Sequence, residues 1–148
     1  MRTVVIGAGG VGGILGGLLA RAGHEVTFLA RGEQLAAIRQ RGLEVRSAQF
    51  GTFVVRVPAT DDPAELGRAD FVLVAVKMYD LDAAGRAAEA ALTPGGVVLP
   101  IQNGLDAPGY LAQRLGRESV LVGTVIVDAA IAQAGVVVQN VPFHQLTV

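Results

Sequence analysis

The segment Gly7-Ala8-Gly9-Gly10-Val11-Gly12 constrains this chain more than any other part of it. It follows Thr3-Val4-Val5-Ile6, a short apolar run that reads as a buried strand, and it precedes an apolar, glycine-rich stretch that reads as a helix. A tight glycine turn from strand to helix is the start of a βαβ unit, whose second strand pairs in parallel with the first. The run fits G-x-G-x-x-G, and each glycine has its own task. Gly7 permits the sharp turn out of the strand, Gly9 lets backbone approach a pyrophosphate, and Gly12 lets the helix pack closely on the strand. The helix that follows presents unpaired N–H groups and its positive dipole end, which together favour a phosphate. Gly7, Ala8, Gly9, Gly10, Val11 and Gly12 are therefore a candidate dinucleotide-binding loop. In a chain with 20 glycines the pattern is weak alone, so its neighbourhood decides its meaning.

Glu25-Val26-Thr27-Phe28-Leu29-Ala30 reads as the second strand of that unit. A site for NAD places Asp or Glu near this strand's end to bond the ribose 2′-hydroxyl. Here Arg31 stands there instead. An acidic side chain would repel a 2′-phosphate, whereas a guanidinium grips one with two parallel N–H groups. Arg31 thus points to NADP, or NADPH, as the ligand. Glu33, two residues on, reads as a first-turn helix residue stabilised by the helix dipole.

The remaining sequence alternates strands and helices through its first two-thirds. This predicts an α/β fold: a Rossmann-like, doubly wound, mostly parallel sheet with helices on both faces. Helices are expected over 11–22, 33–41, 80–92 and 110–115, with a short one starting at Asp61-Asp62-Pro63. The first has a small-residue face of Gly13, Gly16, Gly17 and Ala20, suited to close packing. Further strands are expected over 43–47, 53–58, 70–77, 97–101, 120–127, 136–138 and 143–148. Pro94-Gly95-Gly96 is expected to end the third helix.

Composition narrows the function classes. A length of 148 residues and 51% apolar content suit one folded domain with a real core. A net charge of −1 gives no electrostatic case for nucleic acid. With no cysteine and only two histidines, His24 and His144, far apart, neither thiol chemistry nor a metal site is expected. The uncharged stretch over 4–20 is short and too glycine-rich for a membrane span, and it lacks a signal-peptide pattern. A cytoplasmic protein without membrane partners is expected. Nothing resembles a catalytic triad, since the only serines are Ser47 and Ser119.

Ligands of open α/β sheets bind at the carboxyl ends of the strands. Beside Arg31, two polar residues fall at such ends. Lys77 closes an apolar strand and is the only lysine among 12 basic residues; its compact ammonium suits a phosphate or a ribose hydroxyl. Asn103, in Gln102-Asn103-Gly104, offers a donor and an acceptor, which suit a ribose hydroxyl or a polar substrate group.

Together these residues resemble the N-terminal domain of the ketopantoate reductase (2-dehydropantoate 2-reductase) family. The resemblance rests on Gly-Ala-Gly-Gly-Val-Gly at 7–12, Gly-His-Glu-Val at 23–26, Arg31 and Arg41-Gly42-Leu43. It continues through Val74-Ala75-Val76-Lys77, Gln102-Asn103-Gly104 and a strand from Gly123 to Ala130. It implies NADPH-dependent reduction of ketopantoate, a 2-oxo acid, to pantoate on the way to pantothenate and coenzyme A. It also implies that the glycine loop holds the pyrophosphate, Arg31 the 2′-phosphate and Lys77 the cofactor. Asn103 would then touch both cofactor and substrate, and Ala129 would lie near the nicotinamide. The family's catalytic lysine and its acidic partner lie in a helical C-terminal domain, so no catalytic residue is expected in these 148 residues, which alone would be inactive. Thr124–Asp128 departs from the family pattern in being more apolar, with an Asp. The apolar C-terminal segment is expected to be covered by that domain, or by another copy in a homo-oligomer. Two other readings stay open: another Rossmann reductase of 2-oxo or 3-hydroxy acids, and a non-catalytic nucleotide-sensing or interaction module.

Overall fold

The computed structural model describes the backbone of residues 1–148 and every side chain except that of Phe143. Its centre is a parallel sheet of β1 (Arg2–Ile6), β2 (Glu25–Leu29), β5 (Ala59–Thr60), β6 (Ala69–Val74) and β7 (Leu92–Pro100), in the order β5-β2-β1-β6-β7. The chain runs outward from β1 to β2 and β5, then returns to build β6 and β7 on the other side of β1. The gap between β1 and β6 is thus the point where strand order reverses, the place where such sheets bind ligands. Side chains of β1 alternate between two cores, as the pleat requires. Val5 joins Phe28, Leu73 and Leu99 on one face, while Val4 and Ile6 join Val72, Val74 and Val98 on the other. Helices α1 (Gly10–Arg21) and α2 (Gly32–Arg41) cover the first face; α3 (Leu81–Ala91) and α4 (Asp106–Leu115) cover the second. The doubly wound architecture with helices on both faces is as the sequence predicts.

A second sheet, not foreseen from the sequence, lies on the far side of α1. It contains β3 (Leu43–Ser47), β4 (Gly51–Val55), β8 (Thr124–Gln133) and β9 (Val136–Thr147), in the order β4-β3-β9-β8. Helix α1 is therefore packed between two sheets, which explains why it carries glycine on two faces. A Cβ on Gly12 would lie 2.0 Å from the Gly7 carbonyl oxygen, and one on Gly16 would lie 2.5 Å from the Phe28 ring. Toward the second sheet, a Cβ on Gly13 would lie 2.7 Å from Val137 and one on Gly17 would lie 2.6 Å from Val45.

Several expected strands divide between the two sheets. The strand read over 53–58 is two elements: Gly51–Val55 pairs with β3, and after a bend Ala59–Thr60 joins the edge of the parallel sheet. The strand read over 120–127 also splits. Val120 bridges Val98 at the parallel sheet's other edge, and Thr124 then starts β8 in the second sheet. The strands expected over 136–138 and 143–148 are one, Val136–Thr147, because Pro142 falls where the β8–β9 register shifts and no ladder N–H is needed. Helix α4 starts at Asp106, earlier than the expected 110, since Pro108 is tolerated in a first turn where its missing N–H would be unpaired anyway. Pro94-Gly95-Gly96 lies inside β7 as a register irregularity, the helix having already ended at Ala91. Among the described residues no helix is long and apolar enough to cross a membrane.

The contrast between two loop glycines is measurable. Gly12→Ala drives a methyl into the Gly7 carbonyl and should lower stability by about 2 kcal/mol or more, despite a helix-propensity gain of up to ~1 kcal/mol. Gly9→Ala meets no atom within 4 Å and should cost less than about 1 kcal/mol, the usual loss at a helix N-cap. Urea denaturation of the two variants checks both.

Candidate functional site

The register aligns the strand ends that carry the candidate residues. Ile6 pairs with Leu29 on one side and Val74 on the other, and Val74 pairs with Pro100. The glycine loop, Arg31, Lys77 and Asn103 therefore all leave the sheet at one carboxyl edge, as the sequence reading requires. The ladder runs on past the strands: the Gly7 N–H donates to the Leu29 carbonyl (2.9 Å), and the Ala75 N–H donates to the Ile6 carbonyl (2.8 Å).

At the loop itself, packing separates the glycines into two kinds. Gly7 has φ of 105°, and a Cβ there would stand 3.0 Å from the Ala75 backbone. Gly12 is excluded from bearing a side chain by Gly7 and Ala75, and Gly10 by the backbone of Ala129, 2.6 Å from an added Cβ. These positions are glycine because protein fills the space. Gly9 is different, since nothing of the chain lies within 4 Å of a Cβ built on it. Gly9 is also the N-cap of α1 and carries no side-chain cap, and the helix's first turn has no acidic residue. The loop thus leaves an open, uncapped helix N-terminus beside the one glycine that the fold does not need. This is the form of a phosphate cradle, and these residues fit a dinucleotide. The Ala8 side chain is buried and Val11 packs against the core, so what either offers a ligand is backbone.

Residues that the sequence reading did not single out hold this edge in place. Gln34, in the first turn of α2, donates its Nε2 to the Ala8 carbonyl (2.7 Å) and accepts the Gly135 N–H on its Oε1 (2.8 Å). One amide thereby joins the glycine loop to the β8–β9 turn. Gln102 donates its Nε2 to the carbonyls of Val74 (2.9 Å) and Val76 (3.1 Å), which ties the loop bearing Asn103 to the loop bearing Lys77. Its own Oε1 is buried without a partner among the described residues. Gln34 stands in no sequence pattern that marks it, and Gln102 stands out only as a neighbour of Asn103; the bridging role of each is recognisable only once the loops are adjacent.

The three charged or polar candidates differ in how they are held. Lys77 and Asn103 are exposed, and neither side chain has a hydrogen bond or ion pair among the described residues. Arg31, the N-cap residue of α2, reaches Asp80 with an Nη2–Oδ2 distance of 2.6 Å. Ala129 is half-buried, with its backbone against Gly10. The carboxyls held below their usual range lie elsewhere. Asp70 accepts the Arg2 N–H at the opposite edge of the sheet, and Asp82 accepts from the Tyr110 hydroxyl and Arg86 between α3 and α4. Ser47 is structural, its hydroxyl donating to Gln139 (2.6 Å) and accepting the Gln49 and Phe50 N–H groups of the adjoining turn.

The likeness to known proteins covers this whole arrangement. Residues 3–148 match the family described as Ketopantoate reductase PanE/ApbA. A 2-dehydropantoate 2-reductase of Halobacterium salinarum is 40% identical over 138 residues, covering 93% of this chain and 45% of that protein. An uncharacterized oxidoreductase of Bacillus subtilis is 31% identical over 91% of this chain and 44% of its own length. Among solved structures, a 2-dehydropantoate 2-reductase of Porphyromonas gingivalis superposes with a TM-score of 0.91 at 31% identity, covering 99% of this chain and 53% of that one. The chain spans about half the length of the curated relatives it matches. This chain belongs to the ketopantoate reductase PanE/ApbA family.

Proposed function

We propose that this chain is the NADP(H)-binding part of a cytoplasmic 2-dehydropantoate 2-reductase, which reduces ketopantoate to pantoate for pantothenate and coenzyme A synthesis. The observation that carries this reading is Gly9: a loop glycine facing open space at an uncapped helix N-terminus, at the point where strand order reverses. The backbone N–H groups of the loop bind the pyrophosphate, and the α1 dipole favours its charge. Arg31 takes the 2′-phosphate as a bidentate partner. The free Lys77 ammonium bonds a ribose hydroxyl or a phosphate, and Asn103 orients both cofactor and substrate. The backbone at Ala129 borders the nicotinamide. NADPH, when bound, supplies the hydride. The oxyanion formed on the substrate then needs a proton, and we assign its donor and most of the substrate pocket to the part of the family protein that this chain does not span. The exposure of Ile126, Ile131, Val141 and Leu146 along β8 and β9 is consistent with that division.

A second reading keeps the cofactor and changes the substrate to another 2-oxo acid. The uncharacterized relative and the general chemistry of Lys77 and Asn103 favour keeping it, because fold and cofactor do not fix a substrate.

Equilibrium titration with NADPH and NADH tests the cofactor assignment. Arg31→Ala should weaken NADPH about tenfold or more while changing NADH little, the usual loss for a charge-assisted hydrogen bond to phosphate. An unchanged ratio of affinities removes Arg31 from the site. The 148 residues alone should bind NADPH yet turn over ketopantoate negligibly, and robust turnover would overturn the division of labour. Gln34→Leu should weaken binding of both cofactors alike and speed amide exchange at Gly135, with a stability loss of about 1–2 kcal/mol from the two bonds removed.

A further inference from the structure

The Arg31 guanidinium already has an acidic partner. Its Nη2 is 2.6 Å from the Asp80 carboxylate, and the two side chains are 75% and 24% exposed. The pair joins the end of β2 to the segment after β6, on either side of β1, so it lies across the strand end that carries the glycine loop. Asp80 is also the N-cap residue of α3, yet its side chain makes no capping bond. A carboxylate at that position ordinarily accepts an N–H of its own helix's first turn. Asp80 ends a 3-10 turn, Met78–Asp80, that runs into α3 with its backbone outside the extended capping conformation, and its carboxylate reaches Arg31.

We propose that Asp80 is a specificity-determining residue that competes with the cofactor 2′-phosphate for Arg31; the proposal rests on Arg31 being the 2′-phosphate ligand. A phosphate dianion bound on the guanidinium fork competes for the Nη2 donor that Asp80 uses, and it stands beside a carboxylate of like charge. Binding NADPH is then an exchange, phosphate for carboxylate, and only the difference between the two contacts is gained. NADH imposes no such exchange. Its ribose 2′-hydroxyl can donate to a carboxylate while the ion pair stays intact, the contact that an acid at this end of a dinucleotide site ordinarily makes. The edge therefore holds a cation for the phosphate and an anion for the hydroxyl, locked together in the free chain. Asp80 narrows the preference for NADPH over NADH.

The test is a pair of dissociation constants, for NADPH and for NADH, on the 148-residue chain and its variants. The chain has no tryptophan, so cofactor fluorescence or calorimetry supplies the readout. Asp80→Asn removes the charge and keeps a good N-cap residue, and Asp80→Ser is the second variant. Both should shift the affinity ratio toward NADPH by about three- to ten-fold, through tighter NADPH, weaker NADH or both. The shift should shrink between about 0.05 and about 0.5 M salt, because the competing charges are part-exposed. The same variants should tighten 2′,5′-ADP and leave 5′-ADP unchanged or weaker. Asp82→Asn, which removes a nearby acid paired with Arg86 and Arg114, should not move the ratio. A ratio that stays within about twofold in both Asp80 variants, while Arg31→Ala still abolishes the NADPH preference, overturns the role of Asp80 and leaves the assignment of Arg31 standing. A ratio insensitive to Arg31→Ala overturns both.

Discussion

Helix α1 has no side chains where it comes nearest to either sheet, and the site depends on that approach. Gly12 and Gly16 meet the parallel sheet; Gly13 and Gly17 meet the second sheet; and Gly10 meets the backbone of β8. Each interior glycine forfeits as much as ~1 kcal/mol of helix propensity. In return the helix is wedged between two apolar layers, burying Ile14 and Leu15 in the same core as Phe28, Val45 and Val137. Such interiors pack at crystal-like density, so a helix held this way cannot slide without opening a gap on one side. The N-terminus of α1 is thus located by backbone contact. Gly9, which no packing requires, is left at its tip.

The parallel half of this fold was legible because its signals are local. An apolar strand, a glycine turn and a helix recur in order, and periodicity alone assigns β1, α1, β2, α2, β6 and α3 to within a few residues. The second sheet was not legible, because its strands come from distant parts of the chain. Residues 43–55 pair with residues 124–147, and no local pattern says that a strand over 53–58 divides between sheets, or that Val120 and Thr124 belong to different ones. Pro142 falls between two strands expected over 136–138 and 143–148 and lies within one, since only the opposing register shows that its missing N–H falls at a bulge. Pro108 precedes the helix expected from 110 and lies in the first turn of the one observed.

The candidate site divides in the same way. Residues whose chemistry depends on their own position relative to a strand end, such as Gly9, Arg31, Lys77 and Asn103, stand out from the sequence. Residues whose role is to join two loops do not. Gln34 and Gln102 are ordinary glutamines until the fold brings Ala8, Gly135 and Val76 to them. Asp80 reads as the start of a helix, and its helix-capping potential hides its actual partner, 49 residues earlier in the chain.

Under the proposed reading, affinity and selectivity for the cofactor come from different groups. The loop N–H groups, the α1 dipole and Lys77 act on what NADH and NADPH share. Lys77 has no protein partner to displace, so its attraction for an anion is opposed only by its own hydration. Arg31 acts on the one group that differs, and it begins paired. Exposed ion pairs are worth little in themselves, about 0–1 kcal/mol. An energy of that size is a small part of a domain's net stability, and every 1.4 kcal/mol is tenfold in an affinity ratio. A contact worth at most about 1 kcal/mol can therefore shift the ratio of the two affinities by up to about fivefold. Because it touches nothing common to the two cofactors, it can change in evolution without disturbing the cradle beneath it.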